Sequence, residues 1–135
     1  MHRILIVDDD KLVRGTLRAA MQRAGYDVIE ARHGGEAARL MRDPSIDLLV
    51  TDLIMPEHDG LETIIQTRKQ RPDLPIIAMS GGGQTKNLEF LRYAKQFGAN
   101  RVLSKPFPIS WLESSVRELL AAAKAVPAAG DPKPA

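Results

Sequence analysis

Ile4-Leu5-Ile6-Val7-Asp8-Asp9-Asp10 sets four apolar side chains directly before three carboxylates. Unbroken apolarity over so short a run is the pattern of a strand covered on both faces, as in a parallel sheet, whereas a strand with one wet face alternates. Further short apolar runs follow at Tyr26-Asp-Val-Ile29, Leu48-Leu-Val50, Ile76-Ile-Ala-Met79 and Val102-Leu103. Between them apolar residues recur at helical spacing. Val13, Leu17, Ala20, Met21 and Ala24 share one face, as do Leu61, Ile64 and Ile65, then Leu88, Leu91 and Ala94, then Leu112, Val116, Leu119 and Leu120. Gly25, Gly98 and Arg71-Pro72 close helical stretches, while Pro44-Ser45 and Pro75 stand just before strands. The segment around His33-Gly34-Gly35 predicts only a short helix. Strands alternating with helices imply right-handed βαβ crossovers, so the expected fold is α/β, a (βα)5 doubly wound open parallel sheet with helices on both faces.

Composition bounds the chemistry. The 135 residues, 44% apolar and 27% charged, have the balance of one globular domain. With no cysteine there are no disulfides, zinc-thiolate sites or cysteine nucleophiles, and covalent chemistry falls to oxygen or nitrogen. The net charge of +2 comes from scattered basic residues, which argues against a nucleic-acid partner within this chain. The apolar run at Ile4 is too short for a signal-peptide core or a membrane span, so a cytoplasmic location is expected. Three prolines among residues 127–135 cannot sustain a helix, and 125–135 is expected to be a disordered Pro/Ala-rich tail behind a domain over 1–124.

Ligands of an open α/β sheet bind outside the carboxyl ends of its strands, beside the switch in strand order. The first strand ends in Asp8-Asp9-Asp10, the third in Thr51-Asp52, the fourth in Ser80-Gly81-Gly82-Gly83 and the fifth in Ser104-Lys105-Pro106-Phe107. Carboxylates gathered in a partly dry cleft repel one another, and a hard divalent cation with oxygen ligands relieves this; Mg²⁺ suits the group best. Lys105 can pair with a carboxylate in the empty site and with a phosphoryl oxygen in the filled one, and Ser80 can donate to a second oxygen. The set suggests phosphoryl transfer to a carboxylate.

The stretches Ile4–Asp10, Leu48-Leu-Val-Thr-Asp-Leu-Ile-Met-Pro-Glu-His-Asp-Gly60, Ile76–Gly81 and Leu103-Ser-Lys-Pro-Phe107 together resemble the receiver domain of bacterial two-component response regulators, over roughly residues 3–124. The resemblance implies a flavodoxin-like sheet of strand order 2-1-3-4-5 and a cis Lys105–Pro106 bond. It implies that Asp52 accepts a phosphoryl group from the phosphohistidine of a sensor histidine kinase or a histidine phosphotransfer protein. Asp8 and Asp9 match the acidic pair that holds Mg²⁺, with Asp9 the stronger candidate for direct ligation, Asp52 a second ligand and the backbone carbonyl of Ile54 a third. Ser80 and Lys105 match the hydroxyl and lysine that bind the phosphoryl group, and Ser80 and Val102 occupy the switch positions.

Two positions depart from the common pattern. Val102 stands where relatives carry an aromatic that swings inward on activation, so a ring rotamer switch is impossible here. Ile54, two residues past the acceptor, offers a hydrolytic water no hydrogen bond, which predicts a long-lived phosphoryl group. Blander readings stand beside these: Asp10 as a helix cap, His58 as a loop-surface histidine, Gly81-Gly82-Gly83 as a flexible loop, and Trp111 as either a core anchor or an exposed contact. Ser110-Trp-Leu-Glu113 fits a capping box, though Pro108 suits a first turn equally. The leading expectation is a stand-alone receiver that catalyses its own phosphorylation and dephosphorylation and then binds an unidentified protein target. The alternative is a protein-interaction module that keeps the fold without using phosphorylation. A haloacid-dehalogenase-like phosphatase would need a DxDx[TV] pattern, which Asp8-Asp-Asp10-Lys-Leu12 does not complete.

Overall fold

β1 (Arg3–Val7) lies inside a five-stranded parallel sheet, between β2 (Asp27–Ala31) and β3 (Ile46–Asp52). The computed structural model describes residues 1–55, 58–81 and 92–125. α1 (Lys11–Arg23) and α2 (Gly34–Leu40) flank β2 in sequence, and β3 is followed by the two-residue strands β4 (Ile54–Met55) and β5 (His58–Asp59), which pair antiparallel. Then come α3 (Gly60–Gln70), β6 (Ile76–Ser80), a helical stretch over 92–97 (α4), β7 (Arg101–Ser104) and α5 (Ile109–Ala125). The sheet order is β2-β1-β3-β6-β7, which for its five strands in chain order is 2-1-3-4-5. Winding therefore reverses between β1 and β3, and the crevice of that reversal opens at Asp8 and Asp52.

Ile4 to Val7 are completely buried because both faces of β1 are covered. On one face Leu5, Val7, Leu49, Ile76 and Ala78 pack with Ala37 and Met41, Ile64 of α3 and Ala94 of α4. On the other, Ile4, Ile6, Leu48, Val50, Ile77 and Met79 meet Leu17, Ala20 and Met21 of α1 and Leu112, Val116 and Leu120 of α5. Each such large side chain contributes roughly 1.5–3 kcal/mol on burial. The rigid centre leaves the loops at the carboxyl edge free to carry chemistry.

Local signals behave largely as read. Gly25 (φ 97°) and Gly98 (φ 128°) both end helices in the left-handed region. In each case the glycine N–H and the next one reach back, Gly25 to Gln22 and Tyr26 to Met21, Gly98 to Lys95 and Ala99 to Ala94. This is the Schellman arrangement. It holds the Tyr26 N–H at the end of α1, so β2 starts at Asp27 rather than Tyr26. The second helix is indeed short, and His33 caps it through Nδ1, which accepts the N–H groups of Gly35 and Glu36 at 3.1 and 3.3 Å. α5 begins at Ile109, so Ser110 lies inside the helix and Pro108, whose carbonyl accepts the Trp111 N–H, stands at its start. Trp111 is 58% exposed, which decides between its two readings. The readings for Gly82, Gly83, Leu88, Leu91 and the tail over 126–135 lie outside the described residues.

Candidate functional site

Asp8, the first residue past β1, is fully buried and fully engaged. Its N–H donates to the Ala31 carbonyl at 3.1 Å, one step beyond the last β1–β2 pair. Its Oδ1 accepts the Asp10 N–H at 2.9 Å and its Oδ2 accepts from Lys105 Nζ at 2.9 Å. A carboxylate taken out of water needs such partners. Asp52 closes β3, is 5% exposed, and places Oδ2 3.6 Å from Lys105 Nζ, an ionic contact longer than a good hydrogen bond. Asp9 is exposed beside them. Asp8, Asp9 and Asp52 can each turn one carboxylate oxygen to within 4.8 Å of the others.

Against this acidic group stands the ammonium of Lys105. Burial works against its charge, but the hydrogen bond to Asp8 and the charges of Asp52 and Asp8 outweigh it and hold the pKa above the ordinary 10.5. The β6–β7 register pairs Ser80 with Ser104, and the Lys105 N–H donates to the Ser80 carbonyl at 2.6 Å, which brings the lysine to the rim. The Lys105–Pro106 bond is cis, as the resemblance implied. Ser80 is itself fully buried, and its Oγ has no hydrogen-bond partner among the described residues. A buried hydroxyl left unpaired costs about 1–3 kcal/mol, which sets this one apart from the other buried polar groups of the site.

Asp10 does not join the cluster. Its Oδ1 accepts the N–H groups of Leu12 and Val13 at 2.9 and 3.3 Å, the cap of α1. Behind Asp52 the chain is held tightly: the Leu53 N–H donates to the Met79 carbonyl and the Gly60 N–H to the Leu53 carbonyl. A methyl group on Gly60 would collide with the Asp52 carbonyl and the Leu53 backbone. Ile54 opens β4 opposite Asp59, directly after this anchored segment. Val102 is half-buried and packs against the core on the α3 side, where no ring can turn.

Sequence reading missed a network behind the acidic pair. Arg14, only 9% exposed, donates from Nη1 to the Asp8 carbonyl at 2.8 Å and from Nε to Glu30 Oε1 at 3.0 Å, and Arg18 Nη1 takes Glu30 Oε2 at 2.7 Å. Burial pushes the Glu30 carboxyl up, but hydrogen bonds from Arg18 and Arg14 and their charges more than offset this and hold it below the ordinary 4.5. The available signal was a pair of arginines one turn apart on α1 facing a lone glutamate in an apolar strand.

A doubly wound sheet of this order, with clustered aspartates, a lysine and a hydroxyl on its carboxyl edge, defines a response regulator receiver domain. The chain belongs to that family, whose receiver-domain model matches residues 4–117. It is 37% identical over 117 residues to the DNA-binding transcriptional regulator NtrC of Azospirillum brasilense, covering 87% of this chain and 24% of that protein. It is 39% identical over 119 residues to the response regulator MprA of Mycolicibacterium vanbaalenii, covering 87% of this chain and 50% of that one. Among solved structures it is similar to a CheY-like receiver domain protein from Methanospirillum hungatei, with a TM-score of 0.82 at 27% identity, over 92% of this chain and 97% of that chain. The chain thus spans about a quarter to a half of these curated relatives. Receiver domains are phosphorylated by histidine kinases and bind Mg²⁺ at an acidic pocket, and this chain has an acidic group of Asp8, Asp9 and Asp52 at the corresponding edge of the sheet. No helix among the described residues is long and apolar enough to cross a membrane.

Proposed function

We propose that Asp52 is the phosphoacceptor of a two-component signalling receiver, supplied by the phosphohistidine of a sensor kinase or a histidine phosphotransfer protein. The observation that carries this is the buried Ser80 Oγ, without a partner among the described residues, at the end of the strand that adjoins β3, whose last residue Asp52 shares the Lys105 ammonium with Asp8. A carboxylate oxygen of Asp52 attacks phosphorus, the P–N bond breaks, imidazole leaves with the electron pair, and Asp52 becomes an acyl phosphate. Lys105 then shifts its hydrogen bonding from Asp8 toward a phosphoryl oxygen, and Ser80 donates to another. The donor set fits a hard cation: carboxylates of Asp8, Asp9 and Asp52 and the backbone carbonyl of Ile54 would hold Mg²⁺. Bound there, Mg²⁺ would neutralise the carboxylates and the incoming dianion, which one ammonium cannot do alone. Apolar Ile54 gives attacking water no hydrogen-bonding partner, which favours a long-lived phosphorylated form.

The output follows from the same reading. A receiver acting by itself in the cytoplasm, presenting a changed surface to a protein target, is supported by the likeness to the receiver-length M. hungatei chain. The NtrC relative, described as DNA-binding, supports the other arrangement, in which an output domain works beside the receiver. Mass spectrometry after incubation with acetyl phosphate and Mg²⁺ should show one added phosphoryl group, absent from Asp52→Asn. Labelling retained in that variant would displace Asp52. An unlabelled wild-type chain would favour a phosphorylation-independent interaction module, to which Val102 lends its support.

A further inference from the structure

We infer that Arg14, oriented by Glu30, is a positioning residue for the acidic pair: it fixes the Asp8–Asp9 peptide and thereby sets the affinity for the divalent cation. This rests on the phosphoacceptor reading above and concerns residues that make no contact with the reacting atoms.

The Asp8 carbonyl and the Asp9 N–H belong to one rigid peptide plane, so whatever holds that oxygen fixes the direction in which Asp9 leaves the chain. Asp8 lies past the end of β1, where the ladder gives out after its N–H has reached Ala31. Arg14 Nη1 takes the carbonyl at 2.8 Å. The guanidinium is a planar fork, so the bond from its Nε to Glu30 at 3.0 Å dictates where Nη1 points. Glu30 sits on β2 opposite Ile6, which ties the fork to the buried sheet rather than to a mobile loop. The path from sheet to metal cluster is Glu30, Arg14, the Asp8–Asp9 peptide, then the Asp9 carboxylate within 4.8 Å of those of Asp8 and Asp52.

Glu30 has a second effect. Arg14 and Arg18 lie at i and i+4 on α1, where like charges repel, and the glutamate divides its two oxygens between them. A buried guanidinium without that carboxylate would place uncompensated positive charge behind a site meant for a cation. Arg14 therefore aligns the ligands while Glu30 prevents its charge from competing with the ion. Partners of this outer kind typically change metal affinity 10- to 100-fold when removed.

Titrating the full chain with Mg²⁺, following the backbone amide shifts of Asp9, Asp10 and Leu53 well below the melting temperature, tests this. Arg14→Lys keeps the charge but loses the fork, and its Mg²⁺ Kd should rise about tenfold. Glu30→Gln should raise it by a smaller factor, while Arg101→Gln, whose bridge to Glu118 joins β7 to α5, should leave it unchanged. A merely structural anchor would lower the melting temperature of Arg14→Lys and leave its Kd within about twofold of wild type, which would overturn the inference. Should Arg14→Lys fail to fold, the Kd of Glu30→Gln decides by the same criterion. A wild-type chain with no saturable Mg²⁺ response overturns the phosphoacceptor reading and this inference together; wild-type binding with unaltered variants overturns this inference alone.

Discussion

Asp9 and Asp10 are adjacent carboxylates given different tasks by their surroundings. The Asp10 side chain is occupied by two helix N–H groups, whereas Asp9 has an exposed carboxylate close to Asp8 and Asp52. Asp9→Ala should weaken Mg²⁺ binding strongly and hardly change stability, because an exposed side chain is lost. Asp10→Ala should lower stability by about 1 kcal/mol, the usual worth of a cap, and leave Mg²⁺ affinity near wild type. Mg²⁺ titration and urea denaturation of both variants separate these effects; equal losses of affinity would show that the wrong pair had been chosen. The cap was legible in the sequence because a carboxylate at a helix start needs only local chain to act. Arg14 was not, since its partners Asp8 and Glu30 are brought to it by the sheet.

Between strand and helix, Gly60 is the tightest junction of the site. α3 starts against the end of β3, with no room for a Cβ between Gly60 and the Asp52–Leu53 backbone. Gly60→Ala must push those segments apart, and overpacking of this kind costs about 1–3 kcal/mol. The urea midpoint should fall accordingly, and phosphorylation by acetyl phosphate should slow because the displaced backbone carries Asp52, the proposed acceptor. A wild-type midpoint would mean that the β4–β5 segment yields instead. Neither the close approach nor that two-residue pairing was legible in advance. A glycine ahead of a helix reads equally as a turn, and two-residue strands carry no periodicity.

Across the whole molecule, two shifted groups tied to the site shape the pH dependence of stability, Glu30 on the acid side, beside Glu36 and Asp43, which are lowered too, and Lys105 on the alkaline side. Glu30 is depressed below 4.5, so its contribution is present above that value and is lost as pH falls through its lower folded pKa. Lys105 is raised above 10.5, so its contribution is present below 10.5 and is lost as pH rises through its higher folded pKa. Urea midpoints without Mg²⁺ should fall at both ends, and Glu30→Gln should reduce the acid limb, to which Glu36 and Asp43 also contribute, while leaving the alkaline one. Phosphorylation should be felt along the other side of the sheet. The β6–β7 ladder pairs Ala78 with Val102 and Ser80 with Ser104, so movement of Ser80 toward a phosphoryl oxygen passes directly into β7. With no ring at position 102 to rotate, the response must go through backbone and helix, within the span from Gly81 to Phe97, of which 82–91 lie outside the described residues, and through the adjoining β7. Amide shifts on adding beryllofluoride with Mg²⁺ should concentrate in β6, β7 and 92–97. A response centred on 11–45 with 92–104 silent would rule this out.

The amino-acid sequence alone determined the alternation of buried strands and amphipathic helices, and with it the edge of the sheet on which Asp8, Asp9, Asp52, Ser80 and Lys105 would gather. Apolar periodicity and end signals are local, and the carboxyl end of a parallel strand is fixed once the strand is. What only the tertiary structure decided is how those groups share their charges. Lys105 lies closer to Asp8 than to Asp52, at 2.9 against 3.6 Å. The Ser80 hydroxyl is sealed in without a partner among the described residues. Arg14, in the first turn of α1, reaches back six residues to the Asp8 carbonyl. These are contacts of a few ångströms between residues as far as 97 positions apart, and only the packing of the sheet fixes distances on that scale.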